Sequence, residues 1–139
     1  MLNGTPDPSG FDWPEELKRE FLTAGDNGCV GSTLVSESDR VRVWALRLAP
    51  GQRIGFHKHV LDYFWTAVTP GRAISHMDDG RTVEAIYEAG STAHHHYEPG
   101  AFKIHDLQNV GDTDLVFTTV EFLDSQNTPL NIPAAMRRS

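Results

Sequence analysis

The chain has 139 residues, a length typical of one domain, and its only cysteine is Cys29, so no intrachain disulfide can form. It carries 19 acidic and 12 basic side chains, and a net charge of −7 argues against nucleic-acid binding. No stretch approaches the roughly 18 consecutive apolar residues of a membrane span. We therefore expect a soluble, cytoplasmic protein that binds neither nucleic acid nor membrane.

The first predicted element is a short helix near the N-terminus. Pro14 and the two glutamates after it are typical of a helix start, and Leu17, Phe21 and Leu22 share one face of the segment that follows. We expect about two to three turns that end near Gly25. The residues before this helix predict an extended arm.

The rest of the chain predicts antiparallel β structure, because short runs rich in Val, Thr, Ile, Phe and Trp recur between Gly, Pro and Asp residues. We predict strands at 31–35, 41–48, 53–59, 63–68, 73–77, 81–88, 92–97, 103–110 and 115–123. Asp78 to Gly80 is the strongest hairpin turn. Many short strands without a long helix indicate a sandwich or a closed barrel.

This pattern predicts a single domain over residues 1–139. Within it we expect the arm and helix at 1–25, the β-barrel at 26–124 and a tail at 125–139. Two prolines in the tail prevent it from continuing a central strand. The tail is therefore expected to pack across the surface or against a partner subunit.

Two histidines in one predicted strand suggest a metal site. His57 and His59 are two residues apart, so they point to the same face of the strand and both imidazoles can reach one ion. A solvated His-x-His pair on an outer strand face is the alternative.

The third ligand has two candidate sources. His105 lies in another predicted strand, remote in sequence but able to be adjacent in an antiparallel barrel. The triplet His94 to His96 is the alternative, since His94 and His96 would share a face opposite His95 and either could reach the barrel interior. We take His105 as the ligand, and a solvated rim as the simpler interpretation of the triplet.

The residues around these histidines resemble the two motifs of the cupin superfamily. The first motif is a glycine, five residues and then His-x-His; the second ends in a histidine, three residues and an asparagine. The matching residues are Gly51, His57 and His59 in the first motif, and Pro99, Gly100, His105 and Asn109 in the second. The resemblance covers roughly residues 41–124. It implies an all-β, RmlC-like jelly-roll barrel, or double-stranded β-helix, with inward histidines that bind a metal, and a homodimer.

One departure from the first motif defines the kind of site. Cupins usually place a glutamate four residues after the second histidine, where this chain has Tyr63, preceded by Asp62. Unbroken strand alternation from His59 would point Tyr63 inward, whereas a bulge would exchange it with Asp62. The resulting three-histidine site resembles that of thiol-oxidising cupins such as the cysteine dioxygenases. The segment from His57 to Tyr63 is similar to the corresponding segment of small cupins of β-alanine degradation.

A neutral three-histidine site leaves coordination positions open on one divalent ion. Iron is the expected metal, with nickel or zinc as alternatives, because imidazole suits all three. With iron, substrate and dioxygen could bind together; with zinc or nickel, the ion would act only as a Lewis acid. The resemblance therefore favours a dioxygenase-like oxidoreductase that acts on a small anionic or thiol-bearing metabolite.

Three further residues receive roles in this hypothesis. Tyr63 is the candidate catalytic proton donor, and Arg53 and His96 are candidate substrate-binding residues. Arg53 is preferred because an even number of residues separates it from His57, whereas Lys103 is expected to be an ordinary solvated residue. A metal-dependent isomerase or lyase, and a non-catalytic small-molecule binding protein, are the alternative functions. His76, beside the Asp-Asp-Gly turn, is expected on the surface.

Overall fold

The computed structural model describes residues 5 to 137. Within them a single α-helix, α1, spans Glu15–Thr23. Nine strands follow: β1 Thr33–Glu37, β2 Val41–Leu48, β3 Arg53–His59, β4 Tyr63–Ala67, β5 Gly71–His76, β6 Thr82–Tyr87, β7 Thr92–His95, β8 Lys103–Asn109 and β9 Leu115–Phe122. Every strand begins and ends within two residues of its predicted bounds. The predicted all-β architecture with a short N-terminal helix is confirmed.

The strands form two antiparallel sheets. One has five strands in the order β1-β2-β9-β4-β7, and the other has four in the order β3-β8-β5-β6. The main core cluster consists of Leu46, Leu48, Ala67, Ala73, Leu107, Leu115 and Phe117. Because these residues come from both sheets, the sheets pack face to face and enclose a barrel interior.

Helix α1 packs against the outer face of the four-stranded sheet. Phe21 is fully buried in a cluster with Trp13, Phe56 and Ile104. The preceding segment is not a plain extended arm as predicted, because Pro8–Gly10 forms a 3-10 turn and aromatic side chains bury the segment against the sheet. No helix in this described part of the chain is long and apolar enough to cross a membrane.

The C-terminal tail packs back on its own barrel. Ile132 and Met136 contact the buried cluster that contains Leu34 and Trp44. Arg137 forms a parallel bridge to Leu34. Of the two surfaces expected for the tail, the structure shows it across the five-stranded sheet of its own chain; the last two residues lie outside the described range.

Two adjacent helix residues test the packing of α1. Replacing Phe21 by Ala removes a fully buried aromatic side chain and is expected to lower the free energy of unfolding by about 3–5 kcal/mol. Leu22 is 60% exposed, so Leu22→Ala should change it by less than about 0.5 kcal/mol. Urea denaturation followed by circular dichroism measures both. Equal effects of the two substitutions would contradict the described packing.

Candidate metal centre

Three histidines from two neighbouring strands converge inside the barrel. β3 carries His57 and His59, and β8 carries His105 directly opposite His57. The potential ligand nitrogens of the three side chains all lie within 4.8 Å of one another. The Nε2 atoms of His59 and His105 are 3.1 Å apart, and two nitrogens bound to one ion at about 2.1 Å lie about 3.0–3.4 Å apart. The three histidines could therefore hold a metal ion.

Hydrogen bonding prepares these imidazoles for an ion. The Nδ1 atom of His57 lies 2.8 Å from the carbonyl oxygen of Gly55. A carbonyl only accepts, so Nδ1 carries the proton and Nε2 keeps its lone pair for a ligand. The Nδ1 atom of His59 is buried and has no hydrogen-bond partner among residues 5 to 137. In His59 it is therefore Nε2, the nitrogen close to Nε2 of His105, that is placed to bind an ion.

Burial keeps the three imidazoles uncharged. Desolvation lowers the pKa of His57 to about 4. The pKa values of His59 and His105 are also well below the ordinary value, first because of burial and then because of neighbouring imidazoles and the Lys103 ammonium. At neutral pH all three side chains therefore present lone pairs without first losing a proton.

The histidines line one wall of a cavity of about 330 Å³ between the two sheets. This volume is typical of small-molecule sites. Much of the lining is apolar and includes Leu46, Trp65, Leu107 and Phe117. Within the part of the chain that the structure describes, no aspartate or glutamate lines this cavity. An ion at the three histidines would thus keep its positive charge and face the cavity.

Tyr63 faces the cavity, as strand alternation from His59 predicted. Its ring stacks on His59 with centroids 4.2 Å apart, and on its other side His95 stacks at 4.7 Å. The Nζ atom of Lys103 donates a 2.7 Å hydrogen bond to the Tyr63 hydroxyl. Burial raises the pKa of this hydroxyl far above its ordinary value, and burial lowers the pKa of Lys103 to about 8. At neutral pH the tyrosine is therefore uncharged and the lysine is still a cation.

Asp62, the alternative to Tyr63, points away from the cavity. Its carboxylate accepts a hydrogen bond from the backbone amide of Tyr97 and pairs with His96. These contacts lower the pKa of Asp62. Asp62 therefore does not replace the glutamate ligand of the usual cupin motif.

The member of the histidine triplet that faces the cavity is not the one predicted. His94 and His96 do share a face, but it is the outer one, and His95 lines the cavity. The His96 side chain is 54% exposed and pairs with Asp62 and Glu98. His96, predicted to bind substrate, therefore lies outside the cavity, and His95 is the member of the triplet that lines it. Burial lowers the pKa of His95 to about 4, so its imidazole is neutral.

Arg53 does not reach the cavity either. The pairing of β3 with β8 shifts register between Ile54 and His57, so one extra residue lies in β3 and the alternation of faces is reversed across it. Arg53 therefore points to the opposite face from His57. Its guanidinium binds the carboxylates of Glu20 and Asp106 on the outside of the barrel. The substrate-binding role predicted for Arg53 is corrected for this reason.

His76 was expected on the surface and is instead buried. Its backbone amide and its Nδ1 atom both contact the carboxylate of Asp106, at 2.6 Å and 2.9 Å. Asp106 is fully buried and also accepts from Arg53 at 2.7 Å. This network joins β5 to β8 and lies next to His105 in the chain, on the face opposite to the cavity.

Comparisons with known proteins agree with this geometry. Neither a scan against protein families nor a search of curated proteins found a match. Among solved structures, a cupin domain from Bordetella pertussis Tohama I is 25% identical, with a TM-score of 0.57, over 70% of this chain and 95% of its own. The chain has the cupin fold.

Two further structures support the fold alone. A protein with a double-stranded β-helix domain from Klebsiella pneumoniae is 24% identical, with a TM-score of 0.51, over 70% of this chain and 75% of its own. An RmlC-like cupin from Methanocaldococcus jannaschii is 15% identical, with a TM-score of 0.51, over 63% and 73%. The fold that the two motifs predicted is confirmed.

Two residues that line the cavity, Lys103 and His95, are not among the site residues predicted from the sequence. Lys103 is two residues before His105, so strand alternation alone placed it on the same face as a predicted ligand. His95 required the register of β7 against β4, in which it lies opposite Tyr63. That register depends on pairing between distant segments and left no local signal in the sequence.

Substitution of single histidines tests the metal centre. His105→Ala removes one of three converging nitrogens and should reduce nickel or zinc content to less than about a tenth of the wild-type value after equal loading. The matched control is His94→Ala, whose imidazole lies outside the cavity, and it should retain full content. Elemental analysis measures both, and circular dichroism checks folding. Full metal content in His105→Ala would refute this ligand set.

The pH dependence of metal affinity tests the depressed pKa values. Solvated histidines with pKa near 6.5 would each lose about tenfold at pH 5.5 through competition with protons, or roughly 10³ in total for three. Because burial lowers the pKa of His57 to about 4 and those of His59 and His105 as well, Ni²⁺ affinity should change by less than about threefold between pH 7.5 and 5.5. Equilibrium dialysis measures it, and a thousandfold loss would contradict buried neutral ligands.

Proposed function

We propose that this cupin is a metal-dependent oxidoreductase of the dioxygenase type that acts on a small anionic or thiol-bearing metabolite. The observation that carries the proposal is the convergence of three neutral imidazoles on the wall of a cavity between the two sheets. His57, His59 and His105 would hold the ion. None of them carries negative charge, so the full charge of a divalent ion remains available to an anionic ligand.

Iron is the metal that this proposal requires. The chemistry it would supply is the joint activation of substrate and dioxygen at open coordination positions. The cavity volume of about 330 Å³ suits a small metabolite, and its largely apolar walls lower the dielectric around the reacting groups. Nickel or zinc would fit the same donor set and would restrict the protein to Lewis-acid chemistry.

The chain's own proton donor in this scheme is Tyr63. Its raised pKa keeps the hydroxyl protonated, and in the hydrogen bond with Lys103 the Tyr63 oxygen accepts, so that contact does not use the hydroxyl hydrogen. Stacking between His59 and His95 fixes the plane of the ring. Tyr63 is thus held rigidly beside the ligands and can protonate or orient a bound substrate.

One observation favours a second candidate function, a metal-dependent isomerase or lyase. His95 faces the cavity with a pKa lowered to about 4, so its neutral imidazole can accept a proton from a bound substrate. Together with the Tyr63 hydroxyl it offers a base and an acid in one cavity. The two candidates differ in whether dioxygen is consumed.

Oxygen uptake separates these functions. Protein loaded with Fe(II) under anaerobic conditions should consume dioxygen when mixed with at least one member of a panel of small thiols and carboxylates, as measured with an oxygen electrode. Tyr63→Phe removes the proposed proton donor and should lower kcat by about 10²-fold while the iron content is unchanged. His94→Ala, outside the cavity, should react at the wild-type rate.

The opposite results are equally informative. Iron-loaded protein that consumes no dioxygen with any member of the panel would refute the dioxygenase proposal. Deuterium exchange into candidate hydroxy or keto acids by the zinc-loaded protein would then support the isomerase or lyase. Binding without either reaction would indicate a non-catalytic binding protein.

A further inference from the structure

The charge inside the cavity is opposite to the charge of the whole chain. The net charge of the protein is −7, yet the charged side chains that line the cavity are Lys103 and Arg81, and no carboxylate in the described range joins them. A cavity of one sign within low-dielectric walls attracts ligands of the other sign. The lining therefore selects for an anion even before an ion occupies the histidines.

The two cations are not equivalent. Arg81 is at the surface, with its side chain 67% exposed, and its guanidinium pairs with Asp79. Lys103 is partly buried, its hydrogen bond goes to the neutral hydroxyl of Tyr63, and among residues 5 to 137 it forms no ion pair. Asp78, whose charge acts on Lys103, directs its carboxylate to the backbone amide of Ile104 instead.

A desolvated ammonium group without a counter-ion is unfavourable unless a ligand compensates its charge. An ammonium group has three donor hydrogens, and the Tyr63 hydroxyl uses one of those on Lys103. The other two are available for charge-assisted hydrogen bonds to carboxylate oxygens. The Tyr63 hydroxyl hydrogen is a further donor at the same point.

We infer that Lys103 and Tyr63 form a carboxylate-binding subsite, which makes the ligand of this cavity a short carboxylate with a second, metal-binding group. The second half of this statement rests on the proposed metal function. Lys103 and His105 are neighbours on the same face of β8, and both line the cavity. The ammonium group and the three imidazoles therefore face one space, where a single short ligand can contact both.

A matched pair of probes tests the subsite. 3-Mercaptopropionate has a carboxylate three atoms from its thiol, and 3-mercaptopropionamide has the same shape without the charge. Calorimetric titration of the zinc-loaded protein, which does not turn over, should give at least tenfold tighter binding of the carboxylate. In the metal-free protein, the carboxylate at millimolar concentration should raise Tm more than the amide does.

Three variants assign this preference to a residue. Lys103→Met should reduce the carboxylate preference to less than about twofold in both forms, and Lys103→Arg, which keeps the charge, should restore most of it. The control is Arg81→Met, which removes the exposed, paired cation and should leave the preference unchanged. Circular dichroism and zinc content establish that each variant is folded.

The outcomes for the subsite and for the metal function are distinct. An unchanged carboxylate preference in Lys103→Met, or no preference in the wild-type protein, would overturn the subsite. Failure of the wild-type protein to bind zinc would refute the metal function alone, because the Tm comparison in metal-free protein still measures the carboxylate preference. Loss of the preference in Arg81→Met and not in Lys103→Met would transfer the subsite to the surface cation.

Discussion

The metal centre depends on a one-residue shift in the pairing of β3 with β8. Ile54 lies opposite Leu107 and packs on the core, and three residues later His57 lies opposite His105, two residues earlier in β8. Without this bulge, alternation from Ile54 would direct His57 to the outer face, since the two positions differ by an odd number. The extra residue therefore brings the first histidine motif to the inside of the barrel.

Helix α1 supports this bulge from outside. The carboxylate of Glu20 accepts hydrogen bonds from the Phe56 amide at 2.9 Å and from the Arg53 guanidinium at 2.7 Å and 3.0 Å. A β-carbon on Gly55 would lie 2.9 Å from a Glu20 oxygen, so glycine permits this close approach. The Gly55 carbonyl in turn fixes the proton of His57 on Nδ1. The helix thus orients a metal ligand without contributing one.

The sequence was sufficient for features that depend on local pattern and insufficient for those that depend on pairing. The strand bounds could be predicted because Gly, Pro and Asp residues separate the strands. The two-residue spacing of His57 and His59 likewise places both imidazoles on one face. Arg53 was assigned to the wrong face because nothing in its neighbourhood indicates the bulge. His96 was chosen over His95 because the orientation of β7 is set by β4, a distant segment. The expected homodimer and cytoplasmic location stay predictions.

Burial in the barrel interior shifts several titratable groups toward their neutral forms. Burial lowers the pKa of His57 to about 4 and raises that of Glu121 to about 7, where Trp44 donates to the carboxylate at 2.8 Å. Lys103 is a cation without such compensation, because its hydrogen bond goes to the neutral Tyr63 hydroxyl. A divalent ion near Lys103 would add charge of the same sign. In the absence of an anion, the ion and the Lys103 ammonium group would therefore repel each other. A ligand that carries a carboxylate to Lys103 and a second donor to the ion would offset both charges at once, and binding of ion and ligand would then be mutually favourable by linkage.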